Sequence, residues 1–486
     1  MPIRYRDRQT MAEQNVLLII LDSVRARNLS LYGYSRETTP FLDSLNDVTV
    51  YEQAHSPSTT SFESHASIYT GLYPPQHGMR EYTQRLRAGA TIWDRLRTER
   101  SYETAVFSAN GFAADPSNGV AVGFDQRVTG GQLLEDLPFP NALDPRSHYS
   151  TGIDLIRKCV DSDAPVKSFV NHLWVKSSST PIGPTVKTGE DIYEEQFLDW
   201  MSGRDEAWAA CLNFQDAHTV YLDKIEPEYE RWGGKRLGRL YSEVGHDFRE
   251  FTTGEHPWWI SEAYENLYDG AIRQADARVE RIFRGLKEAG VYDDTLIIVT
   301  SDHGEAFGER SRVRDDVRLT GHGPGIHEVK THVPLLMKAP RQSASHTVSD
   351  LATNARFPHV VEAMLNDSLE YDDFVPENAV AVESPGLHRR WDQADLEDGL
   401  EVLAEDVRAI YEPSGKFYRK HMIWGEDEGA VLIKDAQSSW KQSNQENGEV
   451  AKRFSQLTQE PVLEGDQKSD LNEVAEERLR HFGYID

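Results

Sequence analysis

The sequence predicts an α/β protein: a mixed, largely parallel sheet flanked by helices, followed by a smaller C-terminal domain that contains an antiparallel sheet. Three observations carry this. Short apolar runs rich in branched residues alternate with helical patterns as far as about residue 340. The runs NVLLIIL, WAACLNF and TLIIVT each break off at a polar stretch that holds Asp or His. Beyond residue 340 the pattern changes to short strands separated by polar turns. The expected division is 1–345 for the large domain and 346–486 for the small one.

Residues 15–21 (NVLLIIL) suit a strand buried on both faces of a sheet, and the polar stretch DSVRARNLSLYGY follows. Thr39 and Pro40 suit a helix start over 39–45. Residues 64–69 continue a helix that begins near 60–62, and residues 91–97 form another, before a short strand at 104–107. Residues 208–214 (WAACLNF) form a buried strand ending at Gln215-Asp216-Ala217-His218. Ile272, Ala275, Val279, Ile282 and Leu286 recur at helical spacing, which predicts a long amphipathic helix over 263–289. Residues 295–300 (TLIIVT) are a buried strand running into SDHGE, and 333–338 (VPLLMK) are another. In such sheets ligands bind at the carboxyl ends of strands, where Asp22, His218, Asp302 and His303 fall. Residues 341–375 are polar with one helix at 359–365, and short strands are expected at 378–383, 407–411, 416–422 and 430–433. Residues 435–470 read as partly disordered, and a last helix is expected at 472–481. There is no internal repeat.

The chain has 486 residues and a net charge of −28. That acidity excludes non-specific nucleic-acid binding, which needs a cationic face. An anionic substrate stays open, because one metal ion and a few local cations reverse the field inside a cleft. The acidic residues are spread along the chain and Arg outnumbers Lys, as in the hydrated acidic surface of a high-salt (halophilic) protein. Cys159 and Cys211 allow one disulfide at most. The polar start MPIRYRDRQTMAEQ has no apolar signal core, and no apolar run reaches the roughly 18 residues of a membrane span. A cytoplasmic location is therefore expected.

Asp302-His303 joins a carboxylate to an imidazole just after a buried strand, and hard divalent cations want oxygen ligands while imidazole suits several transition metals. Asp22 has the same position on the first strand; the competing role is a helix cap, for which Ser23 is the better choice. The stretch SPSTTSFESHASIYTGLYPPQHG is dense in hydroxyls, and a hydroxyl at a helix start near a cation can serve as a nucleophile. By itself the stretch reads equally as a Ser/Thr capping run.

Several segments together resemble the sulfatase branch of the alkaline-phosphatase superfamily, including its haloarchaeal-type members. They are NVLLIILDSVRARNLSLYGY, TTPFLDSL, ESHASIYTGLYPPQHG, YDGAIRQADARVERIFRGLKEAGVYDDTLIIVTSDHGEAFGE, the GHG and HEVKTHVPLLMKAP stretches, and the ending ERLRHFGYID. The resemblance implies an alkaline-phosphatase-like domain with one divalent metal, calcium first and manganese or magnesium as alternatives. Asp22 falls on the family's first metal-binding acid, Arg25 on the arginine that follows, and Asp302 and His303 on the later metal pair. His218 falls on the mid-chain histidine and His322 on a cationic substrate-binding position. Arg25, Thr60 and Lys330 are further substrate-binding expectations.

Counting back from Thr70-Gly71 puts Ser61 at the nucleophile and fourth metal ligand, with Thr60 as the alternative if the register slips by one. Glu63 and His65 then replace the proline and arginine of the signal for conversion to formylglycine. His65 is expected at substrate. Ser23 replaces a second metal-binding aspartate. Ser108-Ala109-Asn110-Gly111 stands where the family has Gly-Lys-Trp-His, so Asn110 is left to offer an anion one hydrogen bond. A hydroxyl that stays unmodified is similar to phosphodiesterase and phosphoglycerol-transferase relatives.

The expected reaction is metal-dependent hydrolysis of a sulfate ester, the substrate a sulfated sugar or glycan, with Ser61 as nucleophile and His218 or His322 as the acid. Phosphoric ester hydrolysis or phosphoglycerol transfer is the alternative, and a non-catalytic binding relative the third. Aromatics including Trp174, Trp200, Trp208, Trp232, Trp258 and Trp259 either stack on sugar rings or pack a core.

Overall fold

A computed structural model describes residues 14–81, 84–129, 160, 164–178, 189–218, 225–233, 257–386, 401–442, 448–457 and 461–464. In chain order its strands are β1 (Asn15–Leu21), β2 (Thr49–His55), β3 (Glu103–Ser108), β4 (Gln126–Val128), β5 (Trp208–Phe214), β6 (Thr295–Thr300), β7 (Ala306–Arg310), β8 (Arg318–Gly321), β9 (Leu335–Lys338), β10 (His346–Thr353), β11 (Val380–Ser384), β12 (Val407–Ser414), β13 (Phe417–Trp424), β14 (Asp427–Asp435) and β15 (Ser438–Lys441). The large sheet has the order β10-β2-β9-β6-β1-β5-β3-β4.

β1, the first apolar run, lies inside the sheet between β5 and β6, parallel to both. Its side chains alternate between two cores, as the two-residue period of a strand requires. Val16, Leu18 and Ile20 pack with the Ser61–Thr70, Ile92–Arg100 and Phe357–Leu365 helices. Leu17, Ile19 and Leu21 pack under the Gly189–Ser202 and Trp258–Glu288 helices. The whole predicted stripe from Ile272 to Leu286 faces the second core.

β9 runs antiparallel to both β2 and β6. After β6 the chain makes the β7–β8 hairpin and the Glu328–Thr331 helix without a crossover to the strand's starting edge, so it can only return downward. β10 pairs parallel with β2 at the sheet edge, and Phe357, Val360, Val361 and Met364 enter the first core. The large sheet therefore takes in residues beyond the expected junction at 345. β10 escaped sequence reading because HTVSDLAT is polar on its outer face, as an edge strand is.

β11 to β15 form an antiparallel sheet in sequential order. The stretch 435–470, expected to be partly disordered, contains β15 and a helix, Glu449–Leu457. Val450, Phe454 and Leu457 recur on one face and are buried against this sheet, an apolar stripe that polar average composition hid. The expected helix at 472–481 lies outside the described residues.

Cys211 is buried and free; Cys159 lies outside the described residues. Trp200 and Trp208 belong to the second core, and Trp232 lies under the Arg36 guanidinium. Trp259 is half-buried, whereas the side chains of Trp174 and Trp258 lie outside those described. Among the described residues no helix is long and apolar enough to cross a membrane.

Candidate active site and metal centre

The pairing of β1 with β6 sets Ile20 opposite Thr300. Two residues further on, that register brings Asp22 level with Asp302. Asp22 N donates to Phe214 O at the end of β5. Ser23 then adopts a left-handed backbone, φ 64°, a conformation that costs a non-glycine residue about 1 kcal/mol or more. Three contacts hold it. Ser23 N donates to Asp302 Oδ1 at 3.2 Å, its Oγ donates to Asp22 Oδ1 at 3.1 Å, and the Tyr268 hydroxyl donates to its carbonyl at 2.7 Å.

One ligand atom each from Asp22, Asp302 and His303 lies within 4.8 Å of the others, and all three residues are buried. Ser61 opens a ten-residue helix with extended Thr60 before it. Its Oγ donates to Asp302 Oδ2 at 2.8 Å and lies 3.1 Å from His303 Nε2. The four expected metal ligands thus come together from three separate segments. His303 Nδ1–H donates to Gly304 O at 3.0 Å, leaving Nε2 as the nitrogen with a lone pair toward Ser61.

Asp22 Oδ2 accepts from Asn110 Nδ2 at 2.8 Å and from Asn213 Nδ2 at 3.2 Å. Both donors are neutral. Among the described residues no Lys or Arg pairs with Asp22 or Asp302, and two such carboxylates buried together are strongly unfavourable without a cation. Asn213 Oδ1 is also buried there without a partner. The donor set of two carboxylates, a hydroxyl and an imidazole fits a divalent cation.

Beyond this centre three imidazoles adjoin in series. The His322 ring stacks on His303 with centroids 4.8 Å apart, and His218 lies 5.2 Å from His322. His322 Nδ1 is 3.2 Å from Glu305 Oε2. Burial pushes the Glu305 carboxyl up to about 7, even though His218, His303, Lys330 and Arg25 oppose the shift.

Other expected substrate contacts lie deeper. Arg25 is fully buried: Nε donates to Asn28 Oδ1, Nη1 to Glu305 O and Glu309 Oε1, and Nη2 to Glu265 Oε1, all within 2.9 Å. Its guanidinium also lies over Phe307. With every nitrogen engaged, it braces the loop behind the centre. Lys330 is buried with Nζ bonded to the carbonyls of Gly323 and Pro324. His65 is one turn below Ser61, its Nδ1–H donating to Ser61 O at 2.8 Å. Thr60 Oγ1 bonds the Glu63 carboxylate. Asn110 accepts from Phe112 N with its Oδ1 and holds Asp22 with its amide.

Sequence reasoning missed Asn213, Tyr268 and Ser301, whose Oγ donates to His303 O at 2.6 Å and accepts from Val24 N at 2.9 Å. Asn213 sits inside a plain apolar run, and only the strand register shows that it faces Asp22. Glu305 carried a local signal, two residues beyond His303.

The Sulfatase family profile matches residues 14–365, most of the chain. The chain belongs to the sulfatase family. It is similar to an N-acetylgalactosamine-6-O-sulfatase of Bacteroides thetaiotaomicron, 22% identical over 373 residues, which cover 68% of this chain and 68% of that protein. It is also similar to the steryl-sulfatase of Mus musculus, 24% identical over 373 residues, covering 68% of this chain and 58% of that protein. Among solved structures it superposes on the phosphonate monoester hydrolase of Agrobacterium radiobacter with a TM-score of 0.59, 18% identity and coverage of 92% and 93% of the two chains. A 2-O GAG sulfatase gives a TM-score of 0.55, 14% identity and coverage of 91% and 90%. These structural likenesses show an alkaline-phosphatase-like fold. Sulfatases bind a divalent metal, and this sulfatase has a buried carboxylate–imidazole group fit to hold one.

Proposed function

We propose that this sulfatase hydrolyses the sulfate ester of a sugar, with Ser61 as nucleophile or as the residue from which the nucleophile is made. The observation that carries this is the Ser61 hydroxyl, 2.8 Å from Asp302 and 3.1 Å from His303 at the start of a helix. Family membership and the likeness to the N-acetylgalactosamine-6-O-sulfatase support the substrate class.

Asp302 Oδ2 takes the hydroxyl proton as the Ser61 oxygen attacks sulfur. The positive end of the Ser61–Thr70 helix favours the anionic group there. As the S–O bond to the sugar breaks, His322 gives the leaving oxygen a proton, with Glu305 beside it and His218 as the second choice. Water then attacks the same sulfur and gives a proton back to His322, and as the S–O bond to Ser61 breaks, Asp302 returns its proton to the Ser61 oxygen and sulfate leaves. Asp22, Asp302, His303 and Ser61 would hold the cation; when bound it neutralises charge on the ester oxygens and lowers the hydroxyl pKa. Calcium is the first assignment, because most of these donors are hard oxygens; the imidazole keeps manganese and magnesium as alternatives.

The second reading is phosphoric ester hydrolysis or transfer by an unmodified Ser61. Glu63 and His65 favour it, because they replace the proline and arginine of the conversion signal and are engaged with Thr60 and with the Ser61 carbonyl.

The test is turnover of nitrophenyl sulfate, nitrophenyl phosphate and bis-nitrophenyl phosphate in high salt, after metal stripping and return of calcium, magnesium or manganese. Metal-dependent sulfate cleavage that falls about a thousandfold in Ser61→Ala is expected. Mass spectrometry across Ser61 reads whether the hydroxyl is modified. Cleavage of the phosphodiester alone establishes the second reading. No turnover of any ester, a sulfated sugar included, leaves a binding protein.

A further inference from the structure

A pocket of about 350 Å³ opens where the β14–β15 turn meets the loop after β1 and the start of the Glu328–Thr331 helix. That volume is at the lower end of ligand sites, about 300–1,000 Å³. Arg27, Arg312, Gln437, Ser439 and Trp440 contribute to its wall, and none of Asp22, Ser61, Asp302 or His303 does. Gln437 Nε2 donates to Arg27 O at 2.7 Å, tying the small sheet's hairpin to the loop after β1.

The charges in this wall run against those of the molecule. The chain has 80 acidic residues against 52 Lys and Arg. Yet among the described residues neither Arg27 nor Arg312 has a carboxylate partner. Arg312 Nη2 reaches only Ser439 Oγ, at 3.4 Å, and its Nε is buried without an acceptor. The two acids of the wall are already neutralised: Glu328 pairs with Lys420 at 2.5 Å, and Asp435 with Lys434 at 3.2 Å. The uncompensated charge of the pocket is that of the two guanidinium groups.

Trp440 is 50% exposed, which is unusual for a large apolar side chain in this molecule. An indole face takes the apolar face of a sugar ring, hydroxyl and amide groups bond the ring's hydroxyls, and a guanidinium matches a sulfate by paired hydrogen bonds. We propose that this pocket binds a second sulfated sugar unit, separate from the unit whose ester is hydrolysed. The choice of sulfate among anions rests on the sulfatase reading above; the presence of an anionic-saccharide site rests on the pocket alone.

Calorimetry on the full Ser61→Ala chain, titrated with a sulfated tetrasaccharide and its desulfated counterpart, tests the site. Arg27→Gln with Arg312→Gln should weaken binding of the sulfated probe by about tenfold or more. Trp440→Ala should weaken it several-fold, and the desulfated probe should bind poorly throughout. In the active chain the paired arginine variant should raise KM for the sulfated tetrasaccharide about tenfold while leaving nitrophenyl sulfate turnover unchanged. Unchanged affinity in the arginine variant overturns the proposal, as does equal binding of the desulfated probe. A parallel loss on nitrophenyl sulfate overturns it too, because the arginines would then act on the hydrolytic centre. If the native chain cleaves no sulfate ester, the sulfatase reading fails while the calorimetric comparison still decides the pocket.

Discussion

Asp22 and Asp302 face each other at the ends of β1 and β6, and the neutral groups around them would set how firmly a cation is held there. Asn110 and Asn213 both donate to Asp22 Oδ2 and so fix the direction of its other oxygen. Replacing Asn213 with Leu should weaken metal binding about tenfold, read by calorimetric titration of the stripped protein. An unchanged affinity would mean that Asn213 only fills space. Arg25 is a different case. It faces Glu265 and Glu309, and although burial works against its charge, those carboxylates raise its pKa. Arg25→Met should cost about 3 kcal/mol in urea unfolding, because it leaves carboxylates without their cation. Pairing it with Glu309→Gln should recover part of the loss. A direct substrate contact would instead lower turnover with stability kept.

At the scale of elements, the candidate metal pair Asp302–His303 is carried by a loop pressed against the Glu328–Thr331 helix. Gly304 N donates to Lys330 O at 2.8 Å, and a Cβ on Gly304 would run into the Val329 carbonyl and the Arg25 side chain. Gly304→Ala should therefore push Asp302 and His303 out of place and lower kcat/KM by about a hundredfold, with the fold retained by circular dichroism. The same helix is joined to β13 by the buried Glu328–Lys420 pair. Burial alone would raise the Glu328 carboxyl, but Lys420 and then His327 overcome it and hold it below its ordinary value of 4.5. A carboxyl depressed in the folded state gives stability that is present above the unfolded pKa and is lost as pH falls beneath it. The thermal midpoint should thus fall more steeply below about pH 4.5 in the native chain than in Glu328→Gln with Lys420→Met. Equal slopes would remove the pair from the pH dependence.

For the whole molecule the governing quantity is the charge of −28. Repulsion among acidic groups opposes compaction, and salt screens it as the Debye length shrinks from about 10 Å at 0.1 M to about 3 Å at 1 M. The melting temperature should rise by several degrees across a potassium chloride series over that range. A flat or falling series would set aside the reading of the surface as a high-salt adaptation. The same repulsion gives the Arg27–Arg312 pocket its contrast, since an anion approaching this surface meets guanidinium groups that have no carboxylate partner among the described residues.

The apolar runs at 15–21, 208–214 and 295–300 were legible as buried strands from their own residues, because a strand covered on both faces must be apolar at every position. So were the stripe of the long helix and the short strands of the small sheet. Asp22, Asp302 and His303 were legible because chain-local position, just beyond such strands, places them at one edge; Ser61 needed the resemblance to set its register. Only the tertiary structure decided what depends on residues far apart in sequence. It turned β9 antiparallel, gave β10 an edge to pair with, engaged Arg25 with half-buried carboxylates, and set Asn213 beside Asp22. Periodicity reports which face of an element is buried, whereas register between strands decides which polar side chains meet there. Arg27, Arg312 and Trp440 form one wall for the same reason: nothing local relates them until the small sheet docks on the large one.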